Sequence, residues 1–124
     1  MTATSAGDEG SVSIVVAAIA LVILVMTTGL ADVAHTLTVR AQARTAADAA
    51  ALAAAQELAF PGGQDPAAIA TTYARRNGAE LIDCKCSIGT FDAVVSVRIE
   101  VHGLVLVPGS HEVVVTSRAI VDLP

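Results

Sequence analysis

An uncharged apolar run at residues 12–31 constrains this chain more than any other feature of its sequence. Its polar side chains are only Ser13, Thr27 and Thr28, and acidic residues bound the run on both sides. A helix that crosses a bilayer needs about 20 mostly apolar residues, whereas apolar runs of about 10–14 residues are typical of buried core helices. The run therefore predicts a transmembrane helix over residues 11–31, preceded by an N-terminal tail at residues 1–10.

A cleaved secretory signal is the second interpretation of the same run. Gly29 and Ala31, ahead of Asp32, offer the small residues that signal peptidase prefers. No Lys or Arg precedes the run, however, and it exceeds the apolar region of about 7–15 residues that signal peptides carry. This interpretation makes the chain an exported soluble binding module that signal peptidase releases near Ala31.

The next segment, residues 32–60, contains neither Pro nor Gly, and more than half of positions 41–59 are Ala. Ala has the highest intrinsic helix propensity, so the apolar run and this Ala-rich extension are predicted to form one helix about 75 Å long. It ends at the Pro-Gly-Gly of residues 61–63. Arg44 and Asp48 form an i,i+4 ion pair on its surface. The small side chains are predicted to pack closely against a partner or the chain's own sheet.

Residues 61–124 predict a short helix and an antiparallel sheet. Asp65 and Pro66 are typical of an N-cap and a first helical residue, and Asn77-Gly78 of a helix end. Alternating apolar residues then predict three strands. The side chains expected on the covered face are Ile82, Cys84, Cys86 and Ile88 in the first strand, Val95, Val97, Ile99 and Val101 in the second, and Val113, Val115, Ala119 and Val121 in the third.

The apolar stretch at residues 104–107 is predicted to be a fourth strand or a strand extension; the alternative is an exposed patch for a partner or a membrane surface. A sheet this small needs a helix over its apolar face. The fold class is therefore α+β, with a long N-terminal helix, a short helix and an antiparallel sheet of three to four strands.

Cys84 and Cys86 are the only cysteines. On one face of a regular strand their Cα atoms would lie about 6.5–7 Å apart, which is unfavourable for a disulfide unless the strand is distorted. Three states remain open: two reduced, buried thiols, a disulfide between the two residues, or bonds to another chain. An oxidising compartment favours the disulfide between them.

No catalytic, cofactor or metal site is predicted. The three histidines, His35, His102 and His111, lack the spacing of metal ligands, and no phosphate-binding loop or nucleophile motif occurs. A net charge of −5 supplies no basic face for nucleic acid. With 2% aromatic residues, a small-molecule pocket is not expected either. The chain is predicted not to be an enzyme.

Two stretches resemble the TadE/TadG-like proteins of Flp (Tad) pilus assembly, in particular the actinobacterial TadE-like group found beside secretion ATPase genes. The sequence Asp8-Glu9-Gly10-Ser11-Val12, which leads into the apolar run, resembles the start of these proteins. The stretch at residues 44–53, RTAADAAALA, resembles the segment that follows their membrane helix. The resemblance covers residues 8–56 and includes both halves of the predicted long helix.

The resemblance implies a pilin-like or pseudopilin-like subunit that a single transmembrane helix anchors in the cell membrane. Its partners would be the lipid bilayer and, through the helix, other pilus or secretion-system proteins. It also implies an extracytoplasmic C-terminal module, whereas Arg40 and Arg44 alone would place that side in the cytoplasm. Prepilins are cleaved after a Gly, which implies processing between Gly10 and Ser11. The fifth residue beyond that bond is Val15, where prepilins usually carry Glu.

Overall fold

A computed structural model describes residues 8–123 of the chain. The elements in chain order are α1 (Asp8–Ala59), α2 (Pro66–Arg76), β1 (Glu80–Lys85), β2 (Asp92–Val101) and β3 (His111–Ile120). The three strands form one antiparallel sheet in the order β1-β2-β3. The predicted α+β fold is confirmed, with three strands.

Helix α1 is continuous over 52 residues, which corresponds to a rod about 78 Å long. The prediction of a single helix through the apolar run and the Ala-rich extension is confirmed. Large apolar side chains in the first half are exposed, while the second half carries a row of buried Ala residues from Ala43 to Ala55. The rest of the described chain covers the second half, and in the first half it reaches only the last turn, at Thr28 and Gly29.

Helix α2 begins and ends as its sequence predicts. Asp65 is the N-cap, and its carboxylate accepts a hydrogen bond from the Ala68 amide at 3.1 Å. Pro66 occupies the first turn, where its missing N–H costs nothing. Gly78 follows the Asn77 C-cap with a φ of +75°, a backbone conformation that residues other than Gly rarely adopt.

The core lies between the Ala-rich half of α1, helix α2 and one face of the sheet. Four side chains of β2 are fully buried, Ala93, Val95, Val97 and Val101. The predicted inward-facing residues of the second and third strands all lie on the covered side, buried or half-buried. Because Ala has only a methyl group, the backbone of α1 approaches the valines closely, as in other close helix contacts.

The predicted inward face of the first strand is wrong in part. A register shift between Leu81 and Asp83 leaves Ile82 opposite no partner residue. This β-bulge reverses the alternation, because the extra residue moves the following side chains to the other face. Leu81 therefore packs on the core together with Cys84 and Cys86, whereas Ile82 is exposed. Ile88 lies beyond the end of β1 and is 90% exposed.

The predicted fourth strand at residues 104–107 does not form. The segment belongs to the connection between β2 and β3 and contains only bends. Its amides bond to α1 instead of to a neighbouring strand, as described below. The alternative prediction, an exposed patch, agrees with the exposure of Val105, Leu106 and Val107.

Candidate functional site

The apolar half of α1, residues 10–31, exposes large apolar side chains along most of its length. It lies near the N-terminus and is long and apolar enough to cross a membrane, and none of its most apolar 18-residue window is buried. Side chains around the whole circumference are exposed, including Ile14 at 71%, Leu21 at 61% and Met26 at 71%. A helix that is apolar on every side is typical of a membrane span or of a fully enclosed core helix. Here the rest of the chain does not enclose it.

The polar side chains near the end of this half are satisfied within the helix. The Thr27 hydroxyl donates to the Ile23 and Leu24 carbonyls at 3.0 and 2.9 Å. The Thr28 hydroxyl bonds in the same way to the Leu24 and Val25 carbonyls, both at 3.0 Å. Hydroxyls that return to the helix backbone carry no unsatisfied hydrogen into lipid. These threonines are therefore compatible with a membrane environment.

The Ala-rich face of α1 is occupied by the chain's own module. Ala46, Ala47, Ala50 and Ala54 are fully buried against α2 and the sheet. Leu52 lies outside this packed face and is 51% exposed. Of the two partners predicted for the small side chains, the structure therefore supplies the chain's own sheet. The exposed face of the Ala-rich half and most of the apolar half remain uncovered by residues 8–123.

Two side chains fix this packing from the helix side. The Asp48 carboxylate accepts a hydrogen bond from the Ser117 hydroxyl of β3, and it also lies 3.3 Å from the Arg44 guanidinium. The predicted i,i+4 ion pair is thus confirmed. Gln42 donates to the Asn77 carbonyl at 3.1 Å, which ties α1 to the end of α2.

The charged side chains on the outer face of the sheet pair with one another. Arg98 of β2 lies 2.9 Å from Glu80, its direct partner in β1, and 3.5 Å from Glu112, a diagonal neighbour in β3. The hydrogen bond from Arg118 lowers the pKa of the Asp92 carboxyl and, with their mutual charge, raises the pKa of the Arg118 guanidinium. Charges that satisfy one another in this way do not form a single-sign patch for a charged partner.

The loop between β2 and β3 is held against α1 by one carboxylate. Asp32 accepts hydrogen bonds from the amides of Val105 at 3.0 Å and Leu106 at 2.8 Å. These two bonds are the main reason that the pKa of Asp32 lies below its ordinary value. The contact of Asp32 with the loop has no local sequence signal, and from the sequence this residue only marks the end of the apolar run.

The predicted processing site lies at the start of α1. Gly10 and Ser11 are both exposed, and a Cβ added at Gly10 would meet no atom within 4 Å. The residues at positions 1–7 of the predicted tail lie outside the described part of the chain. Accessibility at Gly10 is consistent with a protease reaching this bond, and cleavage there stays a prediction.

Cys84 and Cys86 are joined in the structure by a disulfide, with their Cα atoms 5.4 Å apart. The regular strand spacing that disfavours this bond does not apply, because β1 ends at Lys85, between the two cysteines. Both residues are half-buried and pack against the core. The redox state in the cell depends on the compartment, and the disulfide there stays a prediction.

Among residues 8–123, no group of three His, Cys, Asp or Glu side chains is placed so that it could hold a metal ion. The three predicted surface histidines lie apart: His102 is 3.2 Å from Glu100, the His111 ring is 3.3 Å from the Val107 carbonyl, and His35 is exposed on α1. An open groove of about 520 Å³ between α1 and α2 is lined partly by Glu57, Tyr73 and Arg76. Glu57 is engaged by the amides of the turn that follows α1, and Arg76 lies over the Tyr73 ring.

The first part of the chain is similar to a known protein family. The sequence model of the Flp pilus-assembly TadE/G-like family matches residues 10–57. The match runs through both halves of α1 and confirms the resemblance predicted for residues 8–56. Comparisons with curated proteins and with solved structures gave no match.

Proposed function

Because residues 10–57 carry the TadE/G-like pattern of Flp pilus assembly, we propose that this chain is a membrane-anchored, non-enzymatic component of a Flp pilus or a related secretion assembly. In this proposal α1 is a single-pass anchor and the α2–sheet module lies outside the cytoplasm. The observation that carries the proposal is the apolar half of α1, whose most apolar 18-residue window has no residue buried by its own chain. Its length of about 33 Å for residues 10–31 suits a hydrocarbon core of about 30 Å.

The pilin-like or pseudopilin-like role is supported by the difference between the two halves of α1. The Ala-rich half serves the chain's own fold, and the apolar half is free to associate with lipid and with other membrane helices. Association of helices in a bilayer relies on packing of small residues, and Ala17, Ala18 and Ala20 lie in this half. The proposed partners are therefore other pilus or secretion-system proteins that contact residues 10–31 within the bilayer.

Membrane retention tests the anchor directly. The native chain and a Leu21→Arg, Ile23→Arg variant are expressed in the source cells, and membranes are washed with alkaline carbonate. An Arg at the centre of a membrane helix costs about 2.5–3.5 kcal/mol on insertion scales, so the variant is expected in the wash and the native chain in the pellet. A Gln56→Arg variant, exposed in the Ala-rich half, is the matched control and stays in the pellet. Release of the native chain by carbonate contradicts the anchor.

The intact mass of the mature chain decides between the anchor and the alternative, an exported soluble binding module. A chain that keeps residues 11–31, whether it begins at Met1 or at Ser11, supports the anchor. A start at Ser11 also establishes processing after Gly10, despite Val15 at the fifth position. A start at Asp32 establishes release near Ala31 and excludes the membrane-anchored component.

A photo-crosslinking residue at position 21 tests the proposed helix partners. Crosslinks to pilus or secretion-system proteins are expected from the apolar half of α1 in intact membranes. The same probe at position 52, on the exposed face of the Ala-rich half, reports contacts made outside the bilayer. Crosslinks at position 52 with none at position 21 contradict association through the membrane helix.

A further inference from the structure

The β2–β3 loop exposes three consecutive apolar side chains. Val105 is 67% exposed, Leu106 49% and Val107 52%. They follow Gly103 in a connection of bends and do not contribute to the core between α1 and the sheet. In a soluble module such side chains would be unfavourable in water, because apolar surface is stabilised by removal from it.

The loop lies at the end of the apolar half of α1. A Cβ placed on Gly29 would lie 3.3 Å from the Cδ1 atom of Leu106. Gly29 is three residues before Asp32, or about 4.5 Å farther along the helix into the apolar run. The tip of the loop therefore overlaps the last turn of the segment proposed to cross the membrane.

Two backbone amides at the tip of the loop are hydrogen-bonded within the chain and do not need water as an acceptor. Unpaired amide hydrogens are costly in lipid, since no water is present to accept them. The amides of Val105 and Leu106 both donate to the Asp32 carboxylate, at 3.0 and 2.8 Å. One acidic side chain thus satisfies the two donors at the point where the loop meets the apolar run.

The apolar surface continues from the loop onto the helix. Val33, Leu37, Leu104 and Val107 line one cavity of about 250 Å³ between the two segments. Val33 and Leu37 are 56% and 60% exposed, so the cavity opens on a larger apolar surface. This surface begins at the end of the membrane segment and extends away from it along α1.

A cationic side chain lies at the far border of the surface. Arg40 lines the same cavity, eight residues and about 12 Å beyond Asp32 along the helix. It also lines the neighbouring groove, together with His111 and Glu112. Along α1, apolar residues lie next to the membrane segment and a basic residue lies farther out. This order matches that of acyl chains and phosphates at a bilayer surface.

We propose that residues 104–107 insert into the interfacial layer of the bilayer that α1 crosses, so that the module contacts the lipid surface at a second point. The inference rests on the proposed membrane anchor. Its occupant is the lipid at the headgroup and acyl boundary, because the loop surface is continuous with the segment that lipid would already surround. Interfacial segments lie about 5–10 Å deep at this boundary.

Tryptophan fluorescence of the full chain tests the proposal, since the native sequence contains no Trp. A Leu106→Trp variant is reconstituted in vesicles of phosphatidylcholine and phosphatidylglycerol, with bromine atoms at defined acyl-chain depths. We expect a blue-shifted emission and a loss of intensity that is greatest with bromines near the headgroup. Adding Asp32→Ala to this variant is expected to reduce the quenching, because the two loop amides lose the carboxylate that accepts their hydrogen bonds.

Two further single-Trp variants separate the possible outcomes. Ile88→Trp, in an exposed turn outside the proposed contact, is the matched control and should not be quenched. Ile19→Trp reports the anchor and should be quenched by bromines deep in the bilayer. Quenching at position 19 without quenching at position 106 overturns the loop insertion and leaves the anchor intact. The same holds if the emission at position 106 is blue-shifted but not quenched, because a protein contact would then cover the loop. No quenching at position 19 contradicts the anchor itself.

Discussion

The Asp48 carboxylate of α1 accepts a hydrogen bond from the Ser117 hydroxyl of β3. Ser117 is the buried polar residue of the described chain, with 7% of its surface exposed. Asp48 is the acidic residue within the Ala-rich stretch that resembles the pilus-assembly family. The contact gives this acidic residue a structural role, since it fixes how the helix lies on the sheet.

Removal of either partner of this hydrogen bond is expected to destabilise the module. Asp48→Ala leaves the buried hydroxyl of Ser117 without its acceptor, at a cost of about 1–2 kcal/mol. Ser117→Ala is expected to cost about 1 kcal/mol, because the half-exposed carboxylate regains water. Amide hydrogen exchange of β2 in detergent micelles measures both changes.

The double variant and a neighbouring variant complete this test. Asp48→Ala with Ser117→Ala should cost less than the two single losses together, since both remove one shared contact. Arg44→Ala breaks only the exposed ion pair with Asp48 and should change the free energy of unfolding by about 0.5 kcal/mol or less. Strict additivity of the single variants would disprove the coupling.

The buried Ala face of α1 should not tolerate larger side chains. Ala50 is fully buried against the core, and Ala50→Leu is expected to destabilise the module by about 1–3 kcal/mol through overpacking. Ala41→Leu, at an exposed position of the same helix, is the control and should be nearly neutral. Hydrogen exchange of the β2 amides compares the two variants. Equal stability of both would mean that the module does not pack on this face.

Docking of the β2–β3 loop should depend on pH through Asp32. Hydrogen bonds from the amides of Val105 and Leu106 lower the pKa of this carboxyl below its ordinary value of 3.8. The stabilisation is therefore complete above about pH 3.8 and is lost as the pH falls through the lowered pKa. The charge of His35 acts in the same direction.

The amide chemical shifts of Val105 and Leu106 in micelles measure this dependence. Both should titrate together with a midpoint below 3.8. Asp32→Asn, which cannot ionise, should abolish the titration and serves as the control. A midpoint at or above the ordinary value for aspartic acid would contradict docking through the ionised carboxylate.

The thiols of Cys84 and Cys86 should be protected by their disulfide when the module lies outside the cytoplasm. A membrane-impermeant maleimide is expected to label the native chain in intact cells only after reduction. In a Cys84→Ser variant the remaining Cys86 thiol should react without reductant. Labelling of that variant only after cell lysis would place the module in the cytoplasm.

Local sequence signals predict the elements of this fold well. The Ala-rich stretch, the Asp65-Pro66 start and the alternation of β2 each depend on neighbours within a few residues. The bulge at Ile82 is different, because one extra residue in β1 is identified only through its pairing with β2. An alternating pattern read without that pairing assigns Ile82 to the wrong face.

The long-range hydrogen bonds could not be predicted from the sequence. Asp32 and Val105 are separated by 73 residues, and Asp48 and Ser117 by 69. Neither pair has a local signature, since the acceptor and donor meet only after the sheet has folded back along α1. The apolar stretch at residues 104–107 has the composition of a strand, yet the Asp32 carboxylate takes the amide hydrogens that a neighbouring strand would bind.

The unbroken course of α1 has a mechanical consequence. Between Leu30 and Ala59 the helix contains neither Gly nor Pro, the residues at which helices most often bend. The module contacts about 40 Å of this helix, from Asp32 to Leu58, so a sideways load on the sheet meets no such bending point within the contacted stretch. In the proposed membrane-anchored state, such a load is expected to reach residues 10–31 as a change in the tilt of the anchor.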